Sequence, residues 1–334
     1  KLEKAIDAYN KAIAIKPDYA NAYYNMGIAL NEQGKLEEAI EAYSKAIAIK
    51  PDYTDARTNL AILLFENRLY EKSTELFAMD SSIRSQSNLL KSFYEQGEKA
   101  KFFKQLNYLT DRGVINAVIG SFLSRSEGSF GIKKDNPFCN KPLNYVSQIE
   151  LNKECDFKKI FVKSASNILR NNEVKHKSQG HLTNGIQTSG NIFTQVGSVT
   201  DQWHNIIQAE LKKYKDYFCD SEEGFITNWP SDYSIMGWLV SMKSGGELSA
   251  HIHDPGWITG SIYINVPPKS KKDSGNLVVT TEDAKPDKGK SENMKSIDVV
   301  TGSLVLFPSS LLHYTIPFES DENRIVLAFD VIPK

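Results

Sequence analysis

Residues 245–267 read GGELSAHIHDPGWITGSIYINVP. Apolar and polar residues alternate over most of this stretch, which is the period of a β-strand with one buried face. Gly245-Gly246, Pro255-Gly256 and Pro267-Pro268 are residue pairs typical of turns. The stretch therefore predicts two strands, 248–253 and 258–266, joined by a short turn.

The same pattern extends on both sides of this pair. Strand-like segments separated by turn residues occupy 234–242, 248–253, 258–266, 275–281, 296–300, 303–307, 311–316 and 324–332. Short strands at this spacing favour a double-sheet jelly roll or a barrel. Before them, residues 201–218 predict an amphipathic helix, and residues 160–169 predict a strand or a short helix.

Three histidines and one arginine are candidates for chemistry within these strands. His251 and His253 are two residues apart, so their side chains share a face if 248–253 is extended. His313 lies on a later strand. Imidazoles on facing strands with open coordination positions are typical of non-haem Fe(II) sites. Arg324, at the start of the last strand, can hold a carboxylate through two parallel hydrogen bonds.

An internal repeat occupies the front of the chain. Residues 1–19 recur at 35–53, an offset of 34, and differ only at Lys4/Glu38, Asp7/Glu41 and Asn10/Ser44. This period and these residues resemble the tetratricopeptide repeat, a pair of helices per unit. A third unit is degenerate: Ala61 and Arg68 stand where the second has Gly27 and Gly34. Because Lys1 falls inside a repeat, we expect further repeats before it.

Composition excludes several classes of protein. Forty basic and 41 acidic residues give a net charge of −1, without the basic excess of a nucleic-acid-binding chain. No apolar run approaches the roughly 18–20 residues that span a bilayer. Cys139, Cys155 and Cys219 are odd in number and far apart, which predicts reduced thiols and a cytoplasmic protein.

The second half of the chain resembles the double-stranded β-helix oxygenases that use Fe(II) and 2-oxoglutarate, in particular the group found fused to tetratricopeptide repeats. The resemblance rests on residues 245–267, SGNLVV (274–279), TGSLVLFPSSLLHYTIPF (301–318) and NRIVLAFDV (323–331). It implies a multidomain α + β chain: an N-terminal α-helical solenoid, then a jelly-roll, cupin-like domain with flanking helices. We expect helical repeats over 1–110, a connecting and covering segment over 111–157, and the oxygenase-like domain over 158–334.

The resemblance also implies a ligand set, with one departure. The common family pattern is His-x-Asp followed by a distant His, whereas His253 stands here two residues after His251 and the carboxylate, Asp254, comes one later. Strict alternation would turn Asp254 away, which favours a triad of His251, His253 and His313. The alternative keeps Asp254 as the carboxylate ligand, if the strand twists before Pro255.

The activity implied is that of a dioxygenase. Fe(II) would be the bound cofactor, and 2-oxoglutarate and O2 would be consumed as co-substrates. 2-Oxoglutarate would be converted to succinate while an unknown substrate is hydroxylated. Arg324 would bind the distal carboxylate of 2-oxoglutarate, with Tyr263 and Ser261 in reach of the same molecule. The repeats would bind a protein or peptide partner, and no nucleic-acid or membrane partner is expected. Two alternatives stay open: an interaction scaffold with a non-catalytic cupin-like domain, and a cupin metalloenzyme that does not use 2-oxoglutarate.

Overall fold

The chain forms two compact units, Lys1–Val114 and Ile115–Lys334, in a computed structural model. The structure describes residues 2–171, 174, 176–177, 180–283 and 292–334. Each unit has its own buried core, so each is considered separately below.

The first unit is a run of helices joined by short turns. Its helices are α1 (Leu2–Ile15), α2 (Ala20–Glu32), α3 (Leu36–Ile49), α4 (Thr54–Glu66), α5 (Tyr70–Ala78), α6 (Ile83–Glu95) and α7 (Lys99–Thr110). Each helix packs against the next in the chain. This is the stacking expected of helical repeats, in which neighbouring units bury one another's apolar faces.

Two features show how the repeat sequence sets this packing. A Cβ at Gly27 would lie 2.8 Å from the ring of Tyr43, so only glycine lets α2 approach α3 this closely. Gly34, at the following turn, has φ +73°, and Arg68 adopts φ +61° at the equivalent position of the third repeat. The left-handed turn is therefore kept in the degenerate repeat although its glycine is lost.

The second unit begins with helices and continues with strands. The helices are α8 (Ala117–Phe130), α9 (Ser164–Arg170), α10 (Ile192–Gln195), α11 (Ser198–Tyr217) and α12 (Gly224–Thr227), with a π-helical segment, Lys158–Lys163, leading into α9. The strands are β1 (Ser147–Glu150), β2 (His176–Lys177), β3 (Leu182–Thr188), β4 (Tyr233–Leu248), β5 (Ile258–Asn265), β6 (Leu277–Thr280), β7 (Met294–Ile297), β8 (Ser303–Pro308), β9 (Leu312–Thr315) and β10 (Arg324–Pro333).

Two antiparallel sheets form from these strands. The larger has the order β1-β8-β5-β10-β4-β3-β2 and the smaller has the order β7-β6-β9. One bridge joins the end of the larger sheet to the smaller: His251 N–H donates to His313 O at 3.1 Å, and His313 N–H donates to His251 O at 3.0 Å. The predicted architecture, helical repeats followed by a double-sheet β-domain with flanking helices, is confirmed.

The central strands of the larger sheet are buried on both faces. On one face, side chains such as Ile262 and Leu327 pack against α11 and the helical segment around Phe161. On the other face, Tyr263 and Val326 pack against the smaller sheet. Because side chains alternate along a strand, residues 324, 326, 328 and 330 of β10 all face the smaller sheet.

The structure corrects one strand prediction, adds one strand that was not predicted and decides one segment that was left open. The segment 248–253 was predicted as a separate strand after a turn at Gly245-Gly246. Instead, β4 continues through that turn and ends at Leu248, and the residues after it are not a strand. Residues 182–188, whose glycine and polar residues gave no strand signal, form β3 through pairing with β4. Residues 160–169, open between strand and helix, are helical.

The segment 111–157, expected to connect and cover, lies mostly in the second unit. After Val114 it supplies α8 and then β1, which pairs with β8 at the edge of the larger sheet. Nowhere in the described part of the chain is a helix long and apolar enough to cross a lipid bilayer.

Candidate metal centre and cofactor site

Three imidazoles converge where the two sheets meet. The ring centroids of His251 and His313 are 4.4 Å apart, those of His253 and His313 are 4.8 Å apart, and those of His251 and His253 are 5.1 Å apart. One nitrogen from each ring lies within 4.8 Å of the others, so the three side chains can hold one metal ion. Asp254 follows in the turn after His253 and is not a member of this cluster.

The local structure that brings the histidines together differs from the predicted strand. The main chain of His251 pairs directly with that of His313 on β9, which fixes two of the rings side by side. His253 lies two residues further on, outside any strand, and is held by a side-chain contact to Asp330 of β10. Long-range contacts, rather than alternation along one strand, therefore build the cluster.

Each histidine has its outer ring nitrogen occupied. Nδ1 of His251 lies 2.7 Å from Ser249 O, and Nδ1 of His313 lies 3.2 Å from Leu311 O. Nδ1 of His253 lies 2.7 Å from Asp330 Oδ1. Since carbonyl and carboxylate oxygens only accept, each Nδ1 carries the proton and donates it, which leaves each Nε2 lone pair for the interior of the cluster. Metal-ligating histidines are oriented in this way.

The lowered pKa values of two of the imidazoles also suit metal binding, because they keep the rings neutral. Burial and the nearby His253 lower the pKa of His251 to about 3, and burial together with the neighbouring imidazoles holds that of His313 well below its usual value. Burial disfavours protonation of His253 as well, but the Asp330 carboxylate outweighs it and raises the pKa. Nε2 of His251 and Nε2 of His253 are 3.2 Å apart, so either a metal ion or a shared proton between them would relieve the repulsion of their lone pairs.

A buried guanidinium lines the same cavity as the three imidazoles. Arg324 is 2% exposed, and its Nη2 donates to Gly275 O at 3.1 Å. Its carbon Cζ lies 5.0 Å from the centroid of the Tyr263 ring, and the Tyr263 hydroxyl hydrogen-bonds with both Arg324 and Ser261. The structure thus brings together Arg324, Tyr263 and Ser261, the three residues that were predicted to contact the co-substrate.

Arg324 lacks the partners that a buried cation normally has. Its Nε is buried without a hydrogen-bond acceptor, and no carboxylate of the described residues pairs with the guanidinium. Burial lowers its pKa, with Tyr263 acting in the opposite direction. A buried charge without a counter-ion is costly, so this position favours an anionic ligand that brings its own carboxylate.

The walls between the two ends of the cavity are largely apolar. Val240, Met242, Leu277 and Val326 line it between the histidine cluster and Arg324. Trp238 stands beside the metal end, with its ring centroid 5.4 Å from that of His253. Such walls exclude water from the site, which strengthens electrostatic contacts inside it.

Two residues near the cluster were missed by sequence reasoning. His181 is one of them: its ring stacks on that of His251 with centroids 5.2 Å apart and planes 8° apart. Asp330 was not singled out at all. A signal for it existed, because an even spacing of six residues places Asp330 and Arg324 on the same face of one strand.

The fold and the site together define a double-sheet β-domain with a cluster of three histidines and a buried arginine in the same cavity. Residues 236–330 match the family described as "Putative 2OG-Fe(II) oxygenase", and residues 1–34 and 29–67 match the family described as "TPR repeat". The chain therefore carries tetratricopeptide repeats in its N-terminal part and a 2-oxoglutarate/Fe(II) oxygenase-family domain in its C-terminal part.

Several solved structures are similar to parts of the chain. A prolyl-4-hydroxylase of Pseudomonas putida is 14% identical, with a TM-score of 0.40, over 57% of this chain and 92% of that chain. A Trichoplax adhaerens prolyl hydroxylase, solved with a hypoxia inducible factor oxygen degradation domain peptide fragment, is 14% identical, with a TM-score of 0.41, over 59% and 88%. MamA is 23% identical, with a TM-score of 0.30, over 34% and 71%. No curated protein matches the chain.

Proposed function

We propose that this chain is an Fe(II)- and 2-oxoglutarate-dependent dioxygenase that hydroxylates a substrate held at the cavity beside Trp238. His251, His253 and His313 would hold the iron through Nε2, and Arg324 would bind the distal carboxylate of 2-oxoglutarate. The family match of residues 236–330 and the convergence of the three imidazoles support this assignment.

The observation that carries the proposal is that Arg324 is buried in the cavity without an acidic partner among the described residues. A cupin metalloenzyme without 2-oxoglutarate needs the histidines but has no use for a buried guanidinium without an acid in the same cavity. 2-Oxoglutarate has one carboxylate for the metal end and a second for the guanidinium. An elongated dianion therefore matches the two charged ends of this cavity.

The protein's part in the reaction follows from these contacts. Three imidazoles leave coordination positions for 2-oxoglutarate and O2, and Fe(II), when bound, supplies the activation of O2. Tyr263 and Ser261 orient Arg324 and its carboxylate ligand, while the apolar walls keep water away. Overall, a C–H bond of the substrate, O2 and 2-oxoglutarate give the hydroxylated substrate, succinate and CO2.

Asp254 remains the alternative to His253 as third ligand, and two substitutions distinguish them. With the three-histidine set, His253→Ala weakens Fe(II) binding and Asp254→Asn leaves it unchanged. With the alternative set, the order reverses. Fe(II) affinity, measured anaerobically on both variants, decides between the two.

The experiment that tests the function is an anaerobic titration of the protein with Fe(II) and then with 2-oxoglutarate. A weak visible charge-transfer band that needs both additions, and is lost in His313→Ala, is the expected result. Tight Fe(II) binding without the band would point to a cupin that does not use 2-oxoglutarate. No Fe(II) binding would leave a non-catalytic domain, and the repeats would then carry the function.

We also propose that the helical repeats bind a protein or peptide partner. The alternate helices α2, α4 and α6 present side chains to one face of the first unit. On that face Tyr24 lies close enough to Asp55 and Arg84 to interact with them electrostatically, and both charged residues are exposed. Reversing both charges with Asp55→Lys and Arg84→Glu is expected to abolish co-purification of a partner while leaving 2-oxoglutarate turnover unchanged. Loss of turnover instead would argue against a separate interaction role.

A further inference from the structure

A hydrogen-bonded chain of buried side chains leads from His253 into the larger sheet. Nδ1 of His253 donates to Asp330 Oδ1 at 2.7 Å, and the hydroxyl of Thr259 donates to the same oxygen at 2.9 Å. The Thr259 hydroxyl also lies 2.8 Å from that of Ser309. Asp330, Thr259 and Ser309 are 4%, 1% and 0% exposed. The chain is therefore closed to solvent beyond the histidine.

The position of Asp330 makes its carboxylate rigid. Asp330 lies in β10, directly opposite Thr259 of β5 on one side and Met236 of β4 on the other. Main-chain pairing on both sides fixes its Cα, and Thr259 fixes one carboxylate oxygen. A side chain held in this way can impose an orientation on the ring of His253, whose own main chain lies outside any strand.

His253 is the one basic side chain that contacts Asp330 among the described residues. Among the described residues its single ion-pair partner is His253, and no lysine or arginine approaches it. A buried carboxylate needs compensation by a donor or a positive charge. His253 donates the hydrogen bond, and a metal ion on the far side of its ring would supply the positive charge.

We infer that Asp330 is a positioning residue of the metal centre. It fixes His253 with the proton on Nδ1 and Nε2 aimed at the ion, and it places one negative charge a single imidazole away from the metal. The inference rests on the proposed function to the extent that His253 is a ligand.

The inference accounts for the departure from the His-x-Asp pattern. Two imidazoles and a ligating carboxylate leave a divalent ion with a net charge of +1. Three neutral imidazoles leave +2, and the carboxylate of Asp330 restores +1 through His253. The carboxylate of this site thus lies on β10, one imidazole away from the ion, and the net charge of the centre would be the same. Partners of metal-ligating histidines typically contribute 10–100-fold to metal affinity, at order-of-magnitude level.

The test is Co(II) binding by the whole chain, followed by the visible spectrum of the bound ion, without 2-oxoglutarate. Asp330→Asn keeps the size of the side chain and removes the charge, and Asp330→Ala removes both charge and hydrogen bond. We expect Co(II) affinity to fall roughly 10–100-fold, more in Asp330→Ala, with a shifted visible spectrum. Asp232→Asn, an exposed residue paired with Lys334 in the same unit, is the matched control and should bind like the wild type.

A double substitution separates positioning from general stability. If Asp330 acts through His253, Asp330→Asn causes no further loss of Co(II) affinity in a His253→Ala background. Equal losses in both backgrounds, or wild-type affinity and spectrum in Asp330→Asn, would overturn the inference while leaving the proposed function intact. Absence of Co(II) binding by the wild type would overturn both. Melting temperatures of the metal-free variants show whether each has folded.

Discussion

Replacing Arg324 with glutamine separates a ligand-binding role from a structural one. In the structure the guanidinium donates to Gly275 O and hydrogen-bonds with Tyr263, and it has no acid partner in the described residues. Glutamine keeps a polar side chain of similar reach but removes the charge and the two-pronged geometry. The affinity for 2-oxoglutarate should therefore fall much more than the stability of the protein.

The size of the effect follows from the hydrogen bonds that are lost. A bidentate guanidinium–carboxylate pair makes two charge-assisted hydrogen bonds, each worth about 1.5–3 kcal/mol. Together they amount to about 3–6 kcal/mol, or roughly 10²–10⁴-fold in the dissociation constant. Without ligand, the lost contacts and the removal of an unpaired buried cation oppose each other. We expect the free energy of unfolding to change by about 1 kcal/mol or less.

The assay is calorimetric titration of 2-oxoglutarate into Co(II)-loaded protein, alongside urea unfolding of the metal-free protein. Arg324→Lys should be intermediate, because it keeps the charge without the fork. Arg170→Gln, an exposed arginine of the same unit, is the control. Wild-type affinity in Arg324→Gln would refute the assigned role. A loss of several kcal/mol in the unfolding free energy would instead show that Arg324 is a structural cation.

Three further predictions concern the fold. A Cβ at position 260 would lie 2.1 Å from the Phe329 ring. Gly260→Ala should therefore lower the free energy of unfolding of the second unit, measured with urea, by about 1–3 kcal/mol. Unchanged stability would mean that the ring moves freely. Burial acts to raise the pKa of Asp80, but the hydrogen bonds that its carboxylate accepts outweigh burial and lower the pKa below its ordinary 3.8. The ionised carboxylate therefore stabilises the fold above that pH, and this stabilisation is lost as the pH falls through the lower pKa of the folded state. Asp80→Asn should therefore flatten the acid dependence of unfolding below about pH 4, and an unaltered profile would contradict this. Native thiol labelling should modify exposed Cys219 and spare buried Cys139, whose pKa burial raises; equal labelling of both would contradict the core packing.

The sequence was sufficient where local pattern and structure agree. The 34-residue period predicted the helices of the first unit as far as about residue 81, and alternation predicted β5, β8 and β10 to within about two residues. It failed for β3, because residues 182–188 have no alternation and become a strand only by pairing with β4. It failed again at Gly245, where a left-handed residue (φ +71°) and a nearby register shift let the strand continue through a predicted turn.

The site shows a similar division. Residue type singled out His251, His253, His313 and Arg324, and the structure places all four on one cavity. The reason given for the first pair was wrong, since no strand holds both. His253 is placed by Asp330, 77 residues away along the chain. The contact itself leaves no trace in local spacing, because the two residues come from distant parts of the chain. The spacing between Arg324 and Asp330 indicates only that they share a face of one strand.

One strand sets the distance between the two ends of the site. Arg324 and Asp330 lie on the same face of β10, six residues apart, which corresponds to about 20 Å between their Cα atoms, and their side chains reach inward from the two ends. β10 pairs with β4 over its whole length and with β5 over most of it, so neither end can shift without breaking main-chain hydrogen bonds. The arginine end and the histidine end of the cavity are thus linked through a strand that is paired on both sides. A substitution that slipped the register of β10 by one residue would turn both side chains away from the cavity at once, so metal affinity and 2-oxoglutarate affinity should be lost together rather than separately.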